Sequence, residues 1–362
     1  MTTYVDAGVN IDDGNSFGRL IKKRVKEAWP EMADEIGGFA GGGPIPPNAV
    51  RVVGSTDGTG TVALLAALVK KYDTIGFNAV AMGAVDTYIA GAKPAYLWDT
   101  LNVGHLVIDE HIEIIDSIIA ACKKAGCKLS GGETAEIPDM HRYPWVFNLD
   151  VAVVGFPSPD LTYMPVYPGQ KLYGWKSFGP GSNGFSLLRK VHDLKIREDF
   201  WFHIRQAFGL KNKSIDRVIE NMQKPRAELY GQSLTDALLV PTPIWIPEIE
   251  AQRKRGVKFS GHAHITGEGM PGNIPRILPS NCMVVIDRGT WERPAIFRYT
   301  QDIGKINQSE MDRTFNQGIM VVSIVDLSGA LPNDPNCIEI GEVESRLGYA
   351  NQVAFTGRHL EE

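Results

Sequence analysis

A glycine-rich turn that contains an acid is the first place in this sequence where chemistry could occur. The stretch VVGSTDGTGTVALLAAL, residues 52–68, places Asp57 between a β-branched run and an apolar helical run. Glycine tolerates a positive φ and lets backbone N–H groups approach a ligand, and the start of the following helix favours an anion. The turn is therefore typical of a loop that contacts a phosphate or a metal. Val62 follows it, where a phosphate-binding loop usually carries a lysine.

Glycine turns recur at predicted strand–helix junctions, namely at residues 37–43, 58–60, 131–132 and 179–184. Three of these turns contain or directly adjoin Asp, Glu or Asn. The P-loop pattern G-x-x-x-x-G-K-[ST] does not occur, which argues against a P-loop nucleotide-binding fold. One such turn proves little, but the set indicates ligand binding outside the standard folds.

Carboxylates lie close to these turns in the sequence. Asp57 is inside one turn, Asp73 precedes the second predicted helix, Asp86 is on that helix, and Glu133 is in the motif GGET. Carboxylate oxygens beside phosphate-binding loops suggest Mg²⁺ that bridges phosphates. The structural alternative is that Asp73 caps the helix starting at Thr74 and that Asp86 lies on its solvated face.

Histidines are few, and two of them alternate in the motif GHAHITGEG. On a strand, His262 and His264 would share a face and reach one ligand. The alternative is a pair of hydrogen-bonded side chains near a turn. No Ser-His-Asp or Cys-His spacing is legible, so nucleophilic hydrolysis has no support.

Composition limits the classes of protein to which the chain can belong. The net charge of -5 does not favour binding to nucleic acid. No apolar run approaches the roughly 18–20 residues that span a bilayer. The N-terminus is not typical of a signal or transit peptide. The four cysteines form no disulfide framework and predict buried thiols in a reducing compartment. We therefore expect a cytoplasmic protein without nucleic-acid or membrane partners.

The elements that must position these residues alternate between strands and helices. AYLWDTLNVG, CKLSGGETAE and FNLDVAVVGF are typical of strands, and TIGFNAVAMGAVDTYIAGA and DEHIEIIDSIIAACKKAG are typical of helices. The pattern predicts an α/β or closely mixed α+β protein. A segment with four prolines, residues 157–170, suggests a boundary. We predict an N-terminal domain at 1–165, a C-terminal domain at 166–350 and a tail at 351–362, with residues 191–232 as a helical elaboration without an assigned role.

A series of motifs occurs in a fixed order over residues 4–345: YVDAGVNIDDGN, GGFAG, STDGTGT, YDTIGFNAVAM, SGGETAEIPDM, GPGSNGFSL, HITGEG, NIPRILP and RTFNQG. In its motifs and their order the chain resembles the aminoimidazole ribonucleotide synthetase family, the phosphoribosylformylglycinamidine cyclo-ligases. The resemblance implies two mixed α+β domains, a homodimer in which the N-terminal sheets pair, and the use of ATP with Mg²⁺. The wider superfamily includes selenophosphate synthetase, thiamine-monophosphate kinase and a hydrogenase maturation factor.

The resemblance also implies a reaction of purine biosynthesis. ATP phosphorylates the formyl amide oxygen of formylglycinamidine ribonucleotide, which gives an iminophosphate. The internal amidine nitrogen attacks that carbon, and aminoimidazole ribonucleotide, ADP and phosphate are released. Such chemistry depends mainly on positioning and on charge neutralisation.

Site residues follow from the matching motifs. The resemblance implies metal ligands Asp57, Asp73 and Asp86, and catalytic residues Asp57, Asp86, Glu133 and His264. It implies contacts to the small-molecule ribonucleotide from Thr134, Ser182 and Asn183. ATP would be bound by Lys22, Gly37, Gly38, Phe39, Thr56, Asp57, Gly58, Thr59, Gly60 and Thr61.

This sequence departs from the family pattern at several site positions. The departures are Val62 for lysine, Asn78 for aspartate, Val85 for asparagine, Gly181 for histidine, Glu268 for glycine and Gln317 for cysteine. Val62 removes a charge that would offset phosphates, and Gly181 removes a potential proton carrier. Three interpretations stay open: a synthetase with the usual activity, an ATP-dependent enzyme acting on a related substrate, or a nucleotide-binding regulator without turnover.

Overall fold

The computed structural model describes residues 8–32, 35, 36, 38, 40–198, 202, 205 and 210–360. The N-terminal part contains helices α1 (Ile11–Ala28), α2 (Val62–Val69), α3 (Ile75–Ile89) and α4 (Ile108–Ala125) and strands β1 (Val53–Gly58), β2 (Ala92–Val103), β3 (Lys128–Glu136) and β4 (Phe147–Pro157). The strands form one sheet in the order β1-β4-β2-β3, in which only the β2–β3 pair is parallel.

Helix α3 packs against the N-terminal sheet and against α4, and nearly all of its side chains are apolar and buried. Gly76 allows the close crossing with α4, because a Cβ there would overlap the backbone of Ser117 and Ile118. Gly83 likewise lies against the side chain of Val153 on β4. The sequence of α3 is therefore adapted to burial on more than one face.

The C-terminal part contains a six-stranded sheet in the order β10-β7-β9-β5-β8-β6. Its strands are β5 (Lys171–Lys176), β6 (Lys258–His264), β7 (Cys282–Asp287), β8 (Ile319–Asp326), β9 (Cys337–Ser345) and β10 (Val353–Thr356). Its helices are α5 (Phe185–Val191), α6 (Lys213–Gln223), α7 (Leu234–Leu238), α8 (Ile246–Lys254), α9 (Gly269–Asn273), α10 (Ala295–Gly304) and α11 (Gln308–Thr314).

The two parts are joined through α3, which contacts β6, and one hydrophobic cluster extends across both. The Tyr88 hydroxyl on α3 donates to Glu250 on α8 at 2.6 Å. Lys124 on α4 forms an ion pair with Glu248, also on α8. The two parts of the chain are therefore held in a defined relation to each other.

The mixed α+β class is confirmed, but two local predictions are wrong. Residues 131–132 are not a turn, because they lie within β3, where the Trp98 and Asp99 side chains of β2 cover the two glycines. Glycine in a strand often marks such a close approach. The segment 351–362 is not simply a tail, since β10 within it pairs in parallel with β7. Within the described ranges, no helix has the length and apolar character needed to cross a bilayer.

Candidate functional site

A cavity of about 580 Å³ opens in the N-terminal domain between α1, β2, β3 and the glycine loop that precedes β1. Gly14 and Gly18 lie one helical turn apart on α1, and no atom comes within 4 Å of a Cβ built at either position. Gly41 lies against the backbone of Ser130 on β3. Glycines are therefore frequent among the described residues that line the cavity, which are Gly14, Gly18, Ile21, Glu35, Ile36, Gly38, Ala40, Gly41, Trp98, Asp99, Thr100, Leu129, Gly131, Gly132, Glu133 and Thr134.

Asp99 is a buried acid in this cavity, and the sequence reasoning missed it. It is opposite Gly132 in the β2–β3 pair and is only 6 % exposed. Burial, with a smaller contribution from the negative charge of Glu133, raises the pKa of Asp99 to about 7. The signal in the sequence is an acid inside an otherwise apolar strand segment, YLWDTL. Asp99 and Glu133 together make this end of the sheet acidic.

The strand register places acids in two neighbouring rows across the N-terminal sheet. One row contains Asp57, Val151, Asp99 and Gly132, and the next contains Gly58, Asp150, Thr100 and Glu133. Side chains paired directly across strands point to the same face, and successive rows point to opposite faces. Asp57 and Asp99 therefore belong to one face of the sheet and Asp150 and Glu133 to the other.

Asp57 is the penultimate residue of β1, at the edge of this sheet. Its carboxylate Oδ1 accepts the backbone N–H of Gly58 at 2.7 Å. Beyond it, the backbone N–H of Thr59 donates to the Leu149 carbonyl at 3.0 Å, which ties the loop to β4. Gly60 has a φ of +62°, and the space beside it is open. The loop thus presents an exposed carboxylate next to backbone that a phosphate can approach.

The structure pairs Asp86 with His264, two predicted catalytic residues that are 178 positions apart. Asp86 Oδ1 is 2.9 Å from His264 Nδ1, where α3 meets β6. The His264 side chain is 2 % exposed, whereas that of Asp86 is 42 % exposed. His264 Nε2 is buried and has no hydrogen-bond partner among the described residues. An Nδ1–H bond to the carboxylate leaves Nε2 of a neutral ring with its lone pair, as a proton acceptor.

His262 does not share a ligand with His264. Its Nδ1 lies 2.7 Å from the Ser323 hydroxyl, and its ring packs on Phe259. Burial, and secondarily the positive charge of Arg253, lowers the pKa of His262 well below its usual value. The prediction that both histidines reach one ligand is therefore wrong, and His262 is a hydrogen-bonded core residue.

Asp73 is separated from the other two predicted metal ligands. Its carboxylate pairs with Lys71 Nζ at 3.0 Å on the surface. Thr74 is the N-cap residue of α3, and no side chain caps the helix there. About 17 Å of helix axis separates the start of α3 from Asp86, at 1.5 Å per residue. One ion cannot bind both acids. Among the described residues, no group of three His, Cys, Asp or Glu side chains is arranged to hold a metal ion.

The remaining predicted ATP contacts lie in two places. Lys22 is exposed on α1, next to the cavity-lining Ile21, and Gly38 and Thr134 line the cavity itself. Thr56 is on β1, and Thr61 precedes α2 without capping it by its side chain. Gly37 and Phe39 lie outside the described residues.

Ser182 and Asn183 are in the turn between β5 and α5. The Ser182 hydroxyl is buried without a hydrogen-bond partner in the described part of the chain, and Asn183 Oδ1 is near Gly267. The preceding residue, Gly181, has a φ of +68°. The turn therefore offers a buried hydroxyl that lacks a partner among the described residues.

Two of the departures from the family pattern contact each other across the domain boundary. Asn78 Oδ1 on α3 accepts the Thr242 hydroxyl at 2.8 Å and the Thr242 backbone N–H at 3.1 Å. Asn78 Nδ2 is 3.5 Å from the carbonyl of Gly181. Asn78 is 1 % exposed. These two changes therefore belong to one buried polar contact that supports the 179–184 turn.

The other departures differ in their surroundings. Val62 and Val85 are buried in the core, so neither position offers a polar group to a ligand. Glu268 is on the surface and pairs with Arg276 at 3.3 Å, with a φ of +68°. Gln317 is 2 % exposed, and its Oε1 is 3.4 Å from Arg293 Nη1.

Comparison with known proteins gives consistent matches over nearly the whole chain. Residues 45–156 match the N-terminal domain model of AIR synthase related proteins, and residues 167–348 match the C-terminal domain model. The phosphoribosylformylglycinamidine cyclo-ligase of Geotalea daltonii is 37% identical, with 98% of this chain and 93% of that protein covered. The enzyme of the same name from Myxococcus xanthus is 34% identical, with 97% and 99% covered.

Solved structures share the fold at low sequence identity. Escherichia coli HypE, a hydrogenase maturation protein, has a TM-score of 0.55 at 18% identity, with 95% of this chain and 96% of that chain covered. Thiamine monophosphate kinase from Aquifex aeolicus has a TM-score of 0.52 at 15% identity, with 95% and 96% covered. These likenesses concern the fold alone.

Proposed function

The chain belongs to the family of AIR synthase related proteins, and from this premise we propose that it is a phosphoribosylformylglycinamidine cyclo-ligase. It would use ATP to close formylglycinamidine ribonucleotide to aminoimidazole ribonucleotide. One observation carries the proposal: curated cyclo-ligases are 34–38% identical to this chain over at least 90% of both sequences. The paired Asp86 and His264 at the domain boundary support it.

The proposed ATP site is the cavity between α1, β2 and β3 together with the loop 56–61. Asp57 and Asp86 would hold Mg²⁺. Asp73 is not a ligand in this proposal, because most of the length of α3 separates it from Asp86. Oxygen donors suit this ion, which commonly takes only one or two protein carboxylates beside phosphate oxygens. When bound, Mg²⁺ offsets the charge that develops during phosphoryl transfer.

The reaction divides into two steps on the substrate. The formyl oxygen attacks the γ-phosphorus of ATP, ADP leaves, and the formyl amide nitrogen loses its proton, which gives an iminophosphate with an activated formyl carbon. The amidine nitrogen then attacks that carbon, a proton leaves the nitrogen, and the C–O bond to phosphate breaks. We assign the proton to His264 Nε2, because Asp86 holds the other ring nitrogen at 2.9 Å. Thr134, Ser182 and Asn183 are proposed to bind the ribonucleotide, and Glu133 to face it.

A direct assay tests the proposed function. Purified protein with ATP, Mg²⁺ and formylglycinamidine ribonucleotide should produce aminoimidazole ribonucleotide and ADP in equal amounts. Release of ADP only with a different amide substrate would contradict the substrate assignment and favour a related enzyme. Binding of ATP without any turnover would contradict the enzyme assignment and favour a regulator. This outcome needs a test because Val62 replaces a lysine that would offset phosphate charge.

We further propose a homodimer through the N-terminal sheets and a cytoplasmic location. Both follow from family membership and, like the domain division at 1–165 and 166–350, stay predictions. Sedimentation velocity at micromolar concentration should give the mass of two chains, about twice 39.7 kDa. A monomer at that concentration would contradict the dimer.

A further inference from the structure

A second cavity, of about 510 Å³, lies in the C-terminal domain and shares no lining residue with the cavity beside β2 and β3. It is bounded by the short turn after β7, the C-terminal end of α10, and the segment that follows β10. The segment after β10 supplies Arg358 and His359. The proposed cyclo-ligase reaction uses none of these residues.

Positive charge predominates in this cavity. Arg288, Arg293, Lys305 and Arg358 line it, and Asp302 is the one acid among the described lining residues. Lys305 and Arg358 are exposed at the rim, and no carboxylate in the described part of the chain forms an ion pair with either side chain. The rim therefore offers two cations that are available to an anion.

The deeper cations are fixed in place. Arg288 forms an ion pair with Asp312, and its guanidinium lies 4.2 Å from the centre of the Phe355 ring. Arg293 is 9 % exposed, and its Nη1 donates to Gln301 Oε1 at 2.7 Å. A guanidinium held by neighbours loses little freedom when it binds a planar or tetrahedral anion. The two buried arginines of the cavity are therefore preorganised for ligand binding.

His359 provides an independent sign that a ligand is missing. Its side chain packs edge-on against Trp291 at 5.3 Å, and the residue is 8 % exposed. Both ring nitrogens are buried without hydrogen-bond partners among the described residues. Burial, and then the charges of Arg293 and Arg288, lowers the pKa of His359 to about 3, so the ring is neutral at pH 7 and keeps one N–H donor. A buried polar group without a partner is costly and needs an explanation.

We propose that this cavity binds the phosphate group of a small phosphorylated metabolite, with Lys305, Arg358 and Arg293 facing the phosphate and His359 donating to it. The cavity carries more positive charge than a ligand with one carboxylate would neutralise. Arginine also pairs well with phosphate oxygens, so a phosphate group fits this charge better. The volume lies within the range of small-ligand sites. None of the described lining residues is Phe, Tyr or Trp, so the anion rather than a stacked base would be recognised.

Calorimetric titration in EDTA tests this site apart from the proposed magnesium-dependent one. The probes are inorganic phosphate, ribose 5-phosphate and AMP, which separate a free anion, a sugar phosphate and a nucleotide. At least one probe should bind the wild-type chain. The double variant Lys305→Ala/Arg358→Ala should bind that probe at least tenfold more weakly, and because both side chains are exposed it should fold normally. A matched variant, Lys224→Ala/Lys254→Ala, removes two exposed cations of the same domain and should bind like the wild type.

Two results would overturn the proposal. One is that the wild-type chain binds none of the three probes, and the other is that the cavity variant binds as tightly as the wild type. A third variant, His359→Phe, keeps a ring against Trp291 but removes both nitrogens, and it should weaken binding without lowering Tm. None of these readouts involves cyclo-ligase turnover, so failure here leaves the proposed reaction untouched.

Discussion

At the scale of single residues, the acids of this protein differ in what surrounds them. Asp86 faces a buried histidine, Asp99 is enclosed by the sheet, Asp57 lies at an exposed strand end, and Asp73 pairs with a surface lysine. All four are aspartates of the N-terminal part of the chain, yet their surroundings suit them to different tasks. Substitutions by asparagine, which preserve shape and remove charge, can separate these roles.

Asp86→Asn is predicted to lower kcat by about 100-fold or more, within the range of a general-base contribution. The amide side chain in the variant no longer stabilises the positive charge that His264 acquires. It can also turn its NH₂ group, instead of its oxygen, toward His264 Nδ1. The variant should also weaken magnesium-dependent ATP binding, which calorimetry measures. Asp73→Asn is the matched control and should change kcat less than twofold, because an exposed ion pair contributes little. Equal losses in both variants would contradict the assignment.

Asp99 is predicted to make stability depend on pH. Its pKa is raised from 3.8 to about 7 in the folded chain, so the folded state binds the proton more tightly than the unfolded one. Stability should therefore fall as pH rises from about 4 to about 7 and then level off, by at most about 4 kcal/mol. Asp99→Asn should remove this decrease. Urea unfolding of both proteins at pH 5 and pH 8 measures it, and parallel changes in the two would contradict the prediction.

At the scale of elements, glycine has two separate uses in the N-terminal domain. On α1, Gly14 and Gly18 leave open space that becomes part of a cavity, and on α3, Gly76 lets α4 approach. In β3, Gly131 and Gly132 give room to the side chains of β2. In the sequence these positions are all simply glycines. The neighbouring element determines whether a glycine leaves open space or allows close packing.

Gly76→Ala is predicted to destabilise the fold by about 3 kcal/mol, because the new methyl group would overlap the α4 backbone, which cannot rotate away. Gly14→Ala adds the same methyl group to a helix where nothing lies within 4 Å, and it should be neutral or stabilising by up to about 1 kcal/mol. Chemical denaturation of the two variants makes the comparison. Similar free energies of unfolding would contradict the close helix crossing.

At the scale of the whole molecule, the functional proposal depends on how the two domains meet. Helix α3 carries both Asp86, which contacts β6, and Asn78, which contacts Thr242. The same helix therefore positions the proposed proton acceptor and supports the turn that carries Ser182 and Asn183. A substitution that shifts α3 at one of these contacts should therefore also alter the geometry of the other contact.

Asn78→Ala is predicted to cost about 1–3 kcal/mol of stability, because the buried Thr242 backbone N–H and hydroxyl lose their acceptor. It should also raise KM for the ribonucleotide more than KM for ATP, since the affected turn lies in the C-terminal domain. Unfolding and steady-state kinetics measure the two effects. An equal rise in both KM values, or no loss of stability, would contradict this role for Asn78.

The sequence by itself determined the types of the long N-terminal helices and strands, the mixed class and the family, because these depend on local periodicity and on ordered motifs. It also identified Asp57, Asp86, Glu133 and His264 as candidates. Only the tertiary structure decided that Asp86 and His264 meet, that Asp99 is enclosed, and that Asp73 is too far along α3 to join them. The reason is physical: burial and contacts between residues 178 positions apart arise from packing of the whole chain, which no local pattern encodes.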